Sequence, residues 1–152
     1  MTTDNVTRPN EDVVDILTTD HREMTELLAR ATQTQDVEQR RDLVETAIAE
    51  VMRHAVAEEM YVYPVMEKDL PGGKEEVEHD KQEHDEIVQV MKKLEEADAA
   101  DPAFMELVQE LDKQLRQWAT RCKRPSSWRR LALTPAHRTP SCFIKVSGQA
   151  SA

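Results

Sequence analysis

Four stretches of the chain repeat apolar residues every three or four positions, and short polar breaks separate them. This spacing is that of a helix with one buried face. With only 3 glycines and 4% aromatic residues, the composition also favours helices over sheets. The length of 152 residues suits one domain with a real core. Because short breaks make consecutive helices antiparallel neighbours, the sequence predicts an all-α, up-down-up-down four-helix bundle.

The breaks set the limits of the predicted helices, and Asp36 and Asp101 are expected to cap the second and fourth of them. The second helix should run from about Val37 to Lys68, with a kink or an early end at Pro64. The third should cover about Lys74 to Ala97. The apolar repeat of the fourth stops after Trp118, so the sequence predicts a shortened fourth helix.

Charge divides the chain into an acidic body and a basic tail. Residues 1–112 carry 11 basic and all 30 acidic side chains, a formal charge of −19, whereas residues 113–152 carry 9 basic side chains and no acidic one. The end of the chain also lacks a helical repeat. The predicted organisation is therefore a flexible arm over 1–10, a helical bundle over 11–120 and an irregular basic tail over 121–152.

The same observations limit where the protein works and what it binds. An acidic body argues against nucleic acid as the main partner. No apolar run approaches the roughly 20 residues that span a membrane. The first residues show no signal pattern, so we expect a cytoplasmic protein whose two cysteines, Cys122 and Cys142, are free thiols. A shortened fourth helix would leave an apolar strip that a homodimer could cover.

Histidines fall on three of the four predicted helices. His21 shares the buried stripe of the first helix, and His79 and His84 lie on the third. On the second helix His54 precedes Glu58 by four residues, which places both on one face about 6 Å apart along the axis. Imidazoles and carboxylates that point inward from facing helices form the metal sites of bundles. This mixture of ligands suits iron, manganese or zinc.

The antiparallel arrangement predicts which of these side chains meet. Glu58 and His84 lie about thirteen residues on either side of the turn near residue 72, so they should be level with each other. His79 is about five residues nearer the turn and about 140° around the helix from His84. We therefore favour His84 over His79 as a ligand. The level position on the fourth helix, residues 116–120, offers no plausible ligand, so the site is expected to be incomplete.

Three segments, DHREMTELL, HAVAEEMYVYP and EHDKQEHDEIVQVMKKLE, resemble the hemerythrin-like HHE cation-binding family, over about residues 11–120. The resemblance implies a four-helix bundle with a non-haem, usually di-iron, centre that binds O2 or related small molecules, or senses or stores iron. It also implies that Glu58 bridges the metal ions. The ligands it implies are His21, His54, Glu58 and His84, with His79 as a further candidate.

The fourth helix departs from the family pattern, in which a histidine and a carboxylate-rich stretch follow; this chain has Thr120-Arg121-Cys122-Lys123 instead. The sudden loss of acidic residues suggests a shifted reading frame near Thr120, and we expect a weakened or mononuclear iron site. Two interpretations stay open: an iron-binding protein with a small ligand such as O2, and a metal-free, degenerate bundle that serves as a structural or interaction module. Enzymatic handling of peroxide or nitric oxide would use the same residues but is not required by them.

Overall fold

The structure, a computed structural model, describes residues 13–122, with side chains from 15 to 120, and this part of the chain is helical without strands. The predicted arm and nearly all of the predicted tail lie outside the described residues. The elements are α1 (Val13–Gln33), α2 (Val37–Ala57), a π-helical segment (Glu58–Val62), α3 (Tyr63–Asp69), α4 (Gly73–Glu96) and α5 (Pro102–Cys122). None of these helices has both the length and the apolar character needed to cross a bilayer.

The predicted N-caps of α2 and α5 are confirmed. Asp36 Oδ1 accepts a hydrogen bond from the backbone N–H of Gln39 at 2.9 Å, and Asp101 Oδ1 accepts one from that of Ala103 at 2.9 Å. Each carboxylate satisfies a backbone donor that has no acceptor within its helix.

The predicted irregularity at Pro64 takes the form of a widened turn. Proline has no backbone N–H, and its ring would collide with the carbonyl group four residues earlier in an ordinary α-helix. The chain passes through the π-helical segment instead, in which the N–H of Tyr63 bonds to the carbonyl of Glu58, five residues back. Pro64 then lies in the first turn of α3, where a missing donor costs little.

The helices surround two hydrophobic clusters, with α1 packed on α2 and α5, and α4 packed on α3 and α5. His21, His54 and His84 each lie on their helix between residues of one cluster and residues of the other. The polar site is thus enclosed by apolar side chains on both sides along the bundle. The smaller cluster consists of Ile16, Leu17, Ala57, Val62, Tyr63, Met66, Leu70 and Val77.

The predicted shortening of the last helix is not confirmed. α5 spans 21 residues, as many as α1, and continues past the fully buried Trp118 to Cys122. An apolar repeat reports burial, so a helical turn that faces solvent leaves no such signal. The exposed large hydrophobic side chains of the described residues also lie near α2 rather than beside the end of α5. They are Val37, Met52, Val56 and Met60.

Two adjacent glycines in the turn before α4 are required for different reasons. Gly72 has a φ of 74°, a left-handed conformation, and a Cβ there would meet only open space. A Cβ on Gly73 would overlap the carbonyl oxygen of Met66 and lie 2.6 Å from its carbonyl carbon. We expect Gly72→Ala to cost roughly 1–2 kcal/mol of unfolding free energy, and Gly73→Ala to cost more because backbone must move.

Urea unfolding of both variants tests this order, with Lys74→Ala at the exposed neighbouring position as the control. A Gly73→Ala protein as stable as Gly72→Ala would show that the close approach of α3 and α4 is not as described.

Candidate metal centre

Glu58 is the residue around which the site is arranged. Its carboxylate is 1% exposed and stands at the first position of the π-helical segment. The two oxygens face different helices: Oε1 lies 3.3 Å from His54 Nε2 on α2, and Oε2 lies 3.2 Å from His84 Nε2 on α4. A buried carboxylate is costly unless positive groups surround it, so this position requires its histidines.

The first helix adds a third imidazole. His21 is buried, and its ring centroid lies 4.5 Å from that of His54. His21, His54 and Glu58 each offer a ligand atom, and these three atoms lie within 4.8 Å of one another. This group could hold a metal ion.

The distances around Glu58 are compatible with hydrogen bonding and with ligands of a metal ion. Hydrogen bonds from a charged donor to a carboxylate are usually about 2.7–2.9 Å long. The contacts of Glu58 with His54 and His84 measure 3.3 and 3.2 Å. Two atoms bound to one ion at roughly 2.1 Å are about 3.0 Å apart in octahedral and about 3.4 Å apart in tetrahedral geometry. The residues present therefore fit a metal ion.

Asp20 orients the imidazole of His54. Its Oδ2 lies 2.9 Å from His54 Nδ1, a distance typical of a true hydrogen bond. A neutral His54 that donates from Nδ1 turns the lone pair of Nε2 toward Glu58. Carboxylates often hold metal-binding histidines in this way. Asp20 could not be identified from the sequence, because its position next to His21 gives no sign that it contacts a histidine on a different helix.

Tyr63 is a second residue that the sequence did not reveal. Its hydroxyl group lies 3.4 Å from Glu58 Oε2 and 3.3 Å from both ring nitrogens of His84. In a regular α-helix a residue five positions on would be about 140° away around the axis. Tyr63 reaches Glu58 because the helix widens between them, and the proline that follows was the available signal.

Trp118 closes the side of the site that α5 faces. The indole is fully buried, and its centroid lies 4.9, 5.0 and 4.3 Å from the rings of His21, His54 and His84. Within the described part of α5, no histidine or carboxylate joins the metal-ligand group. Thus α5, which is the fourth helix of the predicted bundle, contributes an aromatic side chain to the site at the level where the sequence predicts no ligand.

The two histidines of α4 have different surroundings. His84 is buried and contacts Glu58, whereas the side chain of His79 is exposed. Their five-residue separation turns them to different faces of the helix. The structure therefore groups His21, His54 and Glu58. It places His84 against the second oxygen of Glu58 and leaves His79 at the surface.

Opposite charges stabilise each other at the centre when no metal is present. Burial alone would lower the pKa of His54, but Glu58 and Asp20 outweigh it and raise the pKa to about 9. Burial alone would raise the pKa of Glu58, but His54 and His84 lower it to about 2. The metal-free site near neutral pH is therefore an ion pair between protonated His54 and the Glu58 carboxylate.

Comparison with known proteins agrees with this geometry. The model of the Hemerythrin HHE cation binding domain family matches residues 12–121, which include all the described helices except the last residue of α5. No curated protein and no solved structure matches the chain. The matched region contains each of the four buried candidate ligands. The chain belongs to the hemerythrin HHE cation-binding domain family.

Proposed function

We propose that this protein binds one iron ion between His21, His54 and Glu58, with His84 as a further ligand beside the second oxygen of Glu58. The observation that carries the proposal is the buried Glu58 carboxylate, which has an imidazole 3.3 Å from one oxygen and another 3.2 Å from the other. Mixed imidazole and carboxylate ligands suit iron, manganese or zinc, and the family favours iron. The exposed His79 is left out of the proposed ligand set.

A single ion per chain is proposed because the ligands come from three helices only. Trp118 occupies the side of α5, and a second ion would have few donors there. The resemblance implies that Glu58 bridges two metal ions. In the proposed single-ion site Glu58 would bind the ion beside His54, and its other oxygen faces His84. We also propose that the helices follow an up-down-up-down order, which the short connections between them favour.

Bound iron would supply an open coordination position for O2 or a related small molecule. The residues of the chain would shape that position. The Tyr63 hydroxyl group is buried beside Glu58 and His84, and the indole N–H of Trp118 is buried without a hydrogen-bond partner in the described part of the chain. Both can donate to a small polar ligand. The aromatic wall also limits access of water from α5.

The second candidate function is a metal-free helical bundle that acts as a structural or interaction module. The ion pair of His54 and Glu58 favours it, because the buried charges neutralise each other without a metal. Homodimer formation and a cytoplasmic location stay predictions under both candidates. The two candidates differ in how stability depends on pH and on chelators.

A rise in pH from 6.5 to 9 should lower the stability of the metal-free protein and raise the stabilisation that a bound metal provides. The pKa of His54 is raised from 6.5 to about 9, so its contribution to metal-free stability is complete below pH 6.5 and is lost as the pH approaches 9. A metal requires neutral imidazole, so its affinity should rise up to about tenfold per pH unit over this window. Thermal unfolding with iron and with a chelator measures both trends.

Acid should act on the metal-free protein through Glu58. Its pKa is lowered from 4.5 to about 2, so its contribution to the stability of the metal-free protein is complete above pH 4.5 and is lost as the pH falls to 2.

One outcome of the alkaline measurement would favour the second candidate. If the iron-treated protein loses stability between pH 6.5 and 9 in parallel with the chelated protein, His54 does not bind a metal.

The variants His54→Gln and His79→Gln compare the loss of a buried proposed ligand with the loss of an exposed histidine. Iron at one hundred times its dissociation constant stabilises the native state by about 2.7 kcal/mol. We expect the wild type and His79→Gln to lose this stabilisation when a chelator is added, and His54→Gln to show little of it.

The melting temperatures of the three proteins, each with iron and with chelator, provide the measurement. A chelator effect that survives in His54→Gln, or that disappears equally in His79→Gln, would contradict the proposed ligand set. Absence of any chelator effect in the wild type would favour the metal-free bundle.

A further inference from the structure

A surface cavity of about 510 Å³ lies between α1 and α5, and one residue of the candidate metal centre lines it. Its lining includes His21, which is only 4% exposed and is the one buried residue of the lining. Arg22 and Arg116 also line it, and their side chains are 68% and 60% exposed. The cavity lining thus combines two exposed arginines with a buried histidine of the site.

The lining chemistry suits an anion. Among the residues that the structure describes, no carboxylate lines the cavity, although the chain has 30 acidic residues. Arg22 contacts Glu26 at 3.9 Å, a weak exposed pair, and Arg116 contacts Asp112 through Nε at 2.8 Å. A guanidinium carries five N–H donors, so a single Nε contact leaves donors on the same group for another acceptor.

Hydroxyl groups add to this polar lining. Thr18, Thr19, Thr25 and Thr120 all face the cavity. The hydroxyl of Thr25 donates to the carbonyl groups of α1, and that of Thr120 donates to the carbonyl of Arg116. Those of Thr18 and Thr19 have no such bond among the described residues, so they are available as donors.

We propose that this cavity binds a small inorganic anion and serves as its entrance to the metal centre. The two arginines attract the anion at the mouth, the hydroxyls of Thr18 and Thr19 donate to it, and His21 lies at the inner end. The role as an entrance to iron rests on the proposed function. Anion binding itself depends on the cavity alone, so it can be tested on metal-free protein.

Trp118 provides a fluorescent reporter beside the inner end. It is fully buried, and its ring centroid lies 4.9 Å from that of His21. The chain contains one other tryptophan, Trp128, so a Trp128→Phe background makes Trp118 the sole tryptophan emitter. Iodide, a quenching anion, is the probe, and acrylamide is the uncharged comparison.

In metal-free protein at constant ionic strength, we expect saturable quenching of Trp118 by iodide and weaker, non-saturating quenching by acrylamide. Arg22→Gln and Arg116→Gln should each raise the apparent iodide dissociation constant about threefold, as expected for loss of one exposed charge. Arg30→Gln, which removes the same charge from α1 outside the cavity lining, should leave it unchanged. Acrylamide quenching should be equal in all four proteins.

Iodide quenching that does not saturate, or that weakens equally in Arg30→Gln, would overturn the anion site. The entrance role is tested separately on iron-loaded protein by the rate of azide binding to the iron, which should fall about threefold in the same two variants only. If the protein binds no iron, the proposed function and the entrance role both fail, while the iodide result still decides whether the cavity binds anions.

Discussion

The buried carboxylate of Glu58 is the constraint on which the rest of the site depends. A negative charge in the centre of a bundle has to be neutralised from within, and the groups that do so come from different parts of the chain. His54 faces one oxygen from α2, and His84 faces the other from α4. In the proposed site, protons and a metal ion would compete for the same His54 nitrogen. The interaction that stabilises the metal-free protein therefore also sets the pH dependence of metal binding.

The site is asymmetric. Three helices supply polar groups, whereas α5 supplies the indole of Trp118, which contacts all three buried imidazoles. An aromatic wall at that position supports the fold without any metal, because it fills space that would otherwise hold water or a ligand. It also confines the proposed ion to donors from α1, α2 and α4, with the cavity beside His21 as a way in from solvent.

Much of this arrangement could be predicted from the sequence because helices have a fixed rise and a fixed angular spacing. Counting residues from the turn was enough to pair Glu58 with His84 and to separate His84 from His79. Tyr63 could not be predicted in this way, since its contact depends on a π-helical segment that breaks regular spacing. The end of α5 could not be read from the apolar repeat, which stops at Trp118, and the predicted shortening of this helix is not confirmed. The flexible arm over residues 1–10 and the irregular basic tail over residues 121–152 remain predictions from the sequence.

The most direct test of the central claim is the metal content of mass-verified protein that has been saturated with ferrous iron and freed of loosely bound metal. Elemental analysis then gives the number of ions per chain. If His21, His54, Glu58 and His84 form one site beside Trp118, the result should be one iron per chain. No retained metal would contradict the site itself, and two tightly held irons per chain would contradict the role of Trp118 in limiting it to one.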